Sequence, residues 1–232
     1  MPPTASVEQN RAMHGLVLLS FTAGSMDGIA FLALSGVFAS AMSGNTILLG
    51  LAIGQGQFTE SLLFIFGILG YVAGISMASV SIAKLGHGSG WTVGLEALLL
   101  AIFTALWLAS GTHPQPYALS GLIVVSSIAM GLQGRIGRAI GAPGILTVIF
   151  TGTYTTIASD LTTRVLNGDR PLFTALALRQ LLALAAYFGG AMIVGVMAAH
   201  WLQIAPFLPL AAVLALFGGI RLRLIRFDPK PL

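Results

Sequence analysis

Read for its apolar and polar positions, the chain falls into eight apolar blocks, at residues 16–34, 37–56, 62–83, 91–110, 117–134, 145–161, 172–199 and 201–219. The breakers between them are Gly54/Gly56, Gly86/Gly88/Gly90, the His113-Pro114-Gln115-Pro116 turn, Gly141/Pro143/Gly144 and Asn167-Gly168. A helix that crosses a bilayer needs roughly 20 mainly apolar residues. Most blocks qualify, but 37–56 and 145–161 are richer in small and hydroxyl side chains. Charge follows the same punctuation. Between Arg11 and Glu60 the only formal charge is Asp27, residues 61–83 and 97–134 carry none, and between Pro171 and Gly219 there is only Arg179.

Composition sharpens this into a class. Of the 232 residues, 56% are hydrophobic and 8% charged, where a soluble domain of this length carries roughly a quarter charged residues. The chain therefore reads as an all-α integral membrane protein whose first partner is the lipid bilayer. The 29 glycines suit close helix contact in lipid. The net charge of +4 does not indicate a nucleic-acid partner, because the basic residues sit at the ends of apolar blocks, where they report topology. With no cysteine there are neither disulfides nor thiolate metal sites. No metal-ligand cluster or cofactor motif stands out, since His14, His87, His113 and His200 all lie at block boundaries. No cofactor is expected.

The excess of Lys and Arg in cytoplasmic segments chooses between two topologies. If the two small-residue blocks dip in and return, six full spans remain. Arg11, Lys84, Arg135/Arg138, Arg164/Arg170 and Arg221/Arg223/Arg226/Lys230 then share the cytoplasmic side, opposite Glu60, His113 and His200. If all eight blocks cross, Lys84, Arg135 and Arg138 fall outside. We expect six transmembrane helices plus two broken or re-entrant helices, with eight full spans as the alternative. Both place the two termini in the cytoplasm, and the expected location is a bacterial inner membrane.

The small-residue blocks resemble each other. Ser43-Gly44-Asn45-Thr46 stands opposite Thr151-Gly152-Thr153-Tyr154, Asp27-Gly28 opposite Gly134-Arg135, and Tyr71-Val-Ala-Gly74 opposite Tyr187-Phe-Gly-Gly190. Three matches in one order suggest two repeats, residues 1–110 and 111–232 of one membrane domain. With six spans these units are inverted, as in many transporters. The same residues resemble the YoaK family of small bacterial membrane proteins, also called domain of unknown function 1275. The resemblance rests on Asp27 after a glycine, Met42-Ser43-Gly44-Asn45-Thr46, Gly131-Leu132-Gln133 and Thr151-Gly152-Thr153. Ser43 replaces the family's threonine, and Gly134 stands where asparagine is usual. The resemblance implies a multi-spanning inner-membrane architecture and no defined activity.

Function follows from polar groups held in hydrocarbon. Ser, Asn and Thr are helix N-cap residues, so Ser43, Asn45, Thr46, Thr151 and Thr153 are expected to start half-helices inside the bilayer. Such backbone survives only against protein or a water-filled cavity. Two converging N-termini would attract an anion. We therefore expect a solute site from Ser43, Gly44, Asn45, Thr46, Gln133, Thr151, Gly152 and Thr153, or else caps with no ligand. Asp27 is the deepest acid. It either carries a coupling proton or cation, or caps a kink beside Gly28 or pairs with Arg135. Glu96 and Arg179 are close enough to helix ends to snorkel, and Asp160 and Arg164 read as an interfacial ion pair. Trp91, Trp107 and Trp201 are expected at the interface. The reading is a small-solute transporter or channel, of which an anion/proton symporter is one form, and no enzyme. A non-transporting scaffold is the alternative. An intramembrane hydrolase using Ser43 and His200 is the weaker one, and homo-oligomers are open.

Overall fold

The computed structural model describes residues 5–85, 89–139, 150–222 and 224–225. Its helices are α1 (Ala5–Ala33), α2 (Met42–Gly54), α3 (Phe58–Leu85), α4 (Ser89–Ser110), α5 (Pro116–Ala139), α6 (Phe150–Asn167), α7 (Ala175–Met197) and α8 (Phe207–Arg221), with a 3-10 turn at Leu202–Ile204. Six stretches among the described residues are long and apolar enough to cross a membrane, one each from α1, α3, α4, α5 and α7, and one from the 3-10 turn with α8. The protein is an all-α membrane protein, and these six are its candidate spans. The 13 residues of α2 reach only about 20 Å, short of the hydrocarbon thickness. In α6, Thr151, Thr153, Thr155, Thr156, Ser159, Asp160, Thr162 and Thr163 leave the helix too polar to count as a span.

The spans alternate in direction. One cleft of about 590 Å³ is lined by Leu32 and Ala33 at the end of α1 and Ser35 just after it, by Thr112, His113 and Pro114 between α4 and α5, and by Ala198, His200 and Gln203 between α7 and α8. These three connections therefore share one face of the molecule. The opposite ends carry Lys84, Arg135, Arg170 and Arg221. The charge sorting expected from the sequence is thus matched by the order of the helix ends. The basic residues Arg11, Arg138, Arg223, Arg226 and Lys230, with His87, lie outside the described side chains.

Helix pairing is repetitive. α3 packs along α5 and α1 along α7, while α4 lies on α5 and α8 on α1. The closest approaches are backbone to backbone. A methyl group on Gly24 would strike the Tyr187 carbonyl, and one on Gly190 the Phe21 carbonyl. In the other pair, a methyl on Gly131 would strike the Tyr71 carbonyl and one on Gly74 the Ile128 carbonyl. Hydrophobic segregation does not hold helices together in lipid, so close van der Waals contact through small residues must. The apolar core between the spans is filled by large side chains such as Leu19, Met26, Phe103 and Trp107. Trp91 and Trp201 are exposed near helix ends as expected, but Trp107 is fully buried. Its indole N–H donates to the Gln203 carbonyl at 3.1 Å, so a tertiary partner holds it inside rather than at the interface.

The glycine contacts yield a stability test. Gly131→Leu forces backbones apart, an overpacking penalty of about 1–3 kcal/mol or more, and should lower the melting temperature in detergent by several degrees. Gly195→Ala, where nothing lies within 4 Å, should leave it unchanged. Differential scanning fluorimetry of both variants checks this.

Candidate functional site

The chain reverses twice between α1 and α2. Ser35 (φ 56°) and Gly36 (φ 76°) turn it back after Ala33, and the Gly36 N–H closes on the Phe31 carbonyl at 3.2 Å. The following segment, residues 37–41, returns beside α1, with the Phe38 ring stacked on Phe31 at 5.1 Å. This stretch is not helical, so its amides and carbonyls need partners that lipid cannot supply. Asn45, fully buried, provides two. The Phe38 N–H donates to Asn45 Oδ1 at 2.8 Å and Asn45 Nδ2 donates to the Phe38 carbonyl at 2.7 Å. Gly44 is a glycine because the Phe38 ring lies where its Cβ would project, at 2.8 Å.

Asp27 provides a third. Oδ1 accepts from the Ser40 N–H at 2.7 Å, and Oδ2 accepts from the Ser40 hydroxyl at 2.6 Å and the Tyr187 hydroxyl at 2.6 Å. Three donors suit an ionised carboxylate, which only accepts. The Tyr187 ring meets Phe150, the first described residue of α6, edge-on at 4.5 Å. Asp27 thus joins α1, the returning segment and α7, and through Tyr187 touches the start of the second broken element. The kink-cap and Arg135-pair alternatives for Asp27 are replaced by these contacts, which no local spacing reveals.

The glycine contact between α3 and α5 carries different chemistry from that between α1 and α7. Gly134, five positions before the end of α5, faces the Tyr71 hydroxyl, as Asp27 faces that of Tyr187. Gln133 is buried and its Nε2 donates across to the Leu19 carbonyl of α1 at 2.8 Å. Thr153 is buried, whereas Thr151 and Gly152 are exposed. Residues 140–149, where the second block begins, lie outside the described residues.

The expected solute site is only partly gathered. Asn45 and Gln133 are buried and bound to backbone of the protein itself. Ser43 and Thr46 are exposed on α2, and the Thr46 hydroxyl donates back to the Met42 carbonyl at 2.8 Å. The N-cap expectation fails for α2: the cap position is Ala41, with no side-chain bond, and the motif lies within the first turn. Asn45 instead holds the segment before the helix, a contact that depends on the double reversal. α2 packs on α3 and α6 on α7; the two do not form a packed pair among the described residues. The Asp160–Arg164 pair is present at 3.2 Å and is extended by the Thr174 hydroxyl.

Two features escaped the sequence reading. Glu96 does not snorkel: it is fully buried, and neither carboxyl oxygen has a hydrogen-bond partner. Its stripe of Val93, Ala97, Leu100 and Phe103, all buried, shows that this face of α4 points inward. The cleft with His113 and His200 was also missed, because connections distant in sequence build it. Among the described residues no group of three or more His, Asp or Glu side chains could hold a metal ion. The Ser43 hydroxyl has no histidine partner among the hydrogen bonds of the described residues, so the geometry of a nucleophile and base is not formed there.

The Asn45 contacts generate a second test. Asn45→Leu keeps the branched four-atom side chain but strands the Phe38 amide and carbonyl, a loss of about 2–5 kcal/mol for two groups. It should lower the melting temperature more than Thr46→Ala, whose hydroxyl serves only its own helix. Equal effects would show that the returning segment does not depend on Asn45.

Comparison with known proteins agrees with this picture. A family model described as protein of unknown function (DUF1275) matches residues 15–220. The UPF0700 transmembrane protein YoaK of Bacillus subtilis (strain 168) is 28% identical over 216 residues, covering 90% of this chain and 94% of that protein. No solved structure matches. The family model spans the whole helical bundle, from the first turns of the α1 span to the end of α8, and the chain belongs to the DUF1275 family.

Proposed function

We propose that this protein moves a small solute across a bacterial cytoplasmic membrane, as a transporter or channel built from two inverted repeats, and is not an enzyme. The observation that carries the reading is the buried Asp27 carboxylate at the junction of α1, the returning segment and α7. An acid inside a membrane bundle is functional by default. The repeat is supported by the equivalent glycine contacts, Gly24 on Tyr187 and Gly131 on Tyr71. Inverted repeats with broken helices place their solute where the repeats meet.

Asp27 also suggests how a proton would couple to movement. As a carboxylate it accepts from all three donors. Protonated, it gains a donor of its own and loses acceptor capacity, so one of the Ser40 or Tyr187 bonds must be released. That loosens the returning segment against α7. The cleft on the same side would admit the solute. It is lined by His113, His200, Thr112 and Gln203 and by no carboxylate, which favours a small anion, as in anion/proton symport. A scaffold is the second reading, favoured by the fact that Asn45, Gln133 and Asp27 all bind the protein itself. Tight thermal stabilisation by one solute from a panel of small anions, nucleobases and amino acids separates the two.

We place the cleft outside and the basic ends, with both termini, in the cytoplasm. The chain has no cysteine of its own, so single replacements report cleanly. In intact cells His113→Cys should react with an impermeant maleimide, and Lys84→Cys only after permeabilisation; the reverse pattern inverts the orientation. In proteoliposomes, Asp27→Asn should fold but lose pH-dependent uptake of the stabilising solute. Uptake that keeps its pH dependence removes Asp27 as the proton carrier.

A further inference from the structure

We propose that Glu96 is a proton-binding site inside the bundle, which exchanges its proton with the side of the membrane that carries the basic helix ends. Glu96 is 0% exposed, and both carboxyl oxygens lack a hydrogen-bond partner. Its helix packs on α5 and α8, and more lightly on α3 and the 3-10 turn. The charged or titratable groups on those elements are Tyr117 and Arg135 on α5, with Arg138 outside the described side chains, Arg221 on α8, and Glu60, Tyr71 and Lys84 on α3. The 3-10 turn carries none. Among the described side chains none of them is an ion-pair or hydrogen-bond partner of Glu96. Arg221 lies over the Phe217 ring instead, at 5.1 Å.

An ionised carboxylate with no partner is strongly disfavoured in a low-dielectric interior, whereas a carboxylic acid is not. A metal cation would need several further oxygen ligands around the same point; a proton needs none. Depth adds a second argument. Glu96 is six residues into the span that begins at Gly90, Ser20 seven residues into the span from Met13, and Gln133 four residues from the span end at Gly137. At a rise of 1.5 Å per residue these lie about 9, 10 and 6 Å from the basic face. Ser20 Oγ and Gln133 Oε1 are buried and unpartnered as well. Ser127, also unpartnered and buried, lies near mid-span on α5, and Asp27 lies beyond it toward the cleft. A buried polar group left unpaired calls for a physical role, and uptake of a water or a proton is one such role. The interior thus holds polar groups at successive depths from the basic face to Asp27, with Glu96 the first acid.

The site is testable without any assumption about transport. Dicyclohexylcarbodiimide, which partitions into the bundle, adds across its N=C=N group to a carboxylic acid and gives a stable adduct with no leaving group. The detergent-purified protein should acquire one adduct on the peptide containing Glu96 at neutral pH, where an exposed carboxyl is ionised. Glu96→Gln should abolish it, and a water-soluble carbodiimide should not replace it. Absence of an adduct in folded protein, or equal reaction with the water-soluble reagent, would each overturn the proposal. Protection by sodium at constant pH would also overturn it, in favour of a metal cation. Proton flux in proteoliposomes then separates this from the solute reading. Glu96→Gln should reduce proton entry from the basic side, and a normal flux would remove Glu96 from the path whether or not a solute moves.

Discussion

Non-helical backbone inside a membrane protein must have its amides and carbonyls satisfied by the protein, and residues 37–41 are where this chain meets that demand. Asn45 grips Phe38 from both polar ends, and Asp27 receives the Ser40 amide. Remove these contacts and the Phe38 amide and carbonyl and the Ser40 amide lose their partners, which the surrounding hydrocarbon cannot replace. The short α2, its glycine at position 44 and the turn at Ser35 and Gly36 all follow from keeping that segment folded back on α1.

The same residues that satisfy the backbone also tie the bundle together. Tyr187 reaches Asp27 because α1 and α7 approach at Gly24 and Gly190, where backbone touches backbone. Any change in the number of donors that Asp27 can accept is therefore felt by two helices and the returning segment at once. In the other pair, α3 on α5, the close approach at Gly74 and Gly131 is retained while Gly134 offers no side chain to the Tyr71 hydroxyl. The two halves share a packing solution and differ in chemistry, which concentrates the acid of the seam in one of them.

Much of the architecture was legible before any coordinates. Long apolar blocks, few charges and basic residues at alternate block ends are direct consequences of a 30 Å hydrocarbon layer, and the helices and their alternation follow them. The small-residue blocks were recognisable as departures from this rule because hydroxyls and asparagine are costly in lipid. Boundaries and roles were less legible. Ser43, Asn45 and Thr46 looked like N-caps, yet the cap position fell to Ala41 because the chain had already turned back before it.

Sequence alone thus determined the membrane class, the spans, the charge sorting and the position of Asp27 within a span, since each depends on local composition and on the solvent. Tertiary structure alone decided the partners: Tyr187 for Asp27 across 160 residues, Leu19 for Gln133 across 114, and, among the described residues, no hydrogen-bond partner for Glu96. The reason is physical. Hydrophobicity is the same for all apolar faces of a helix, and only the packing of one helix against another fixes which face turns inward and which polar group meets another there.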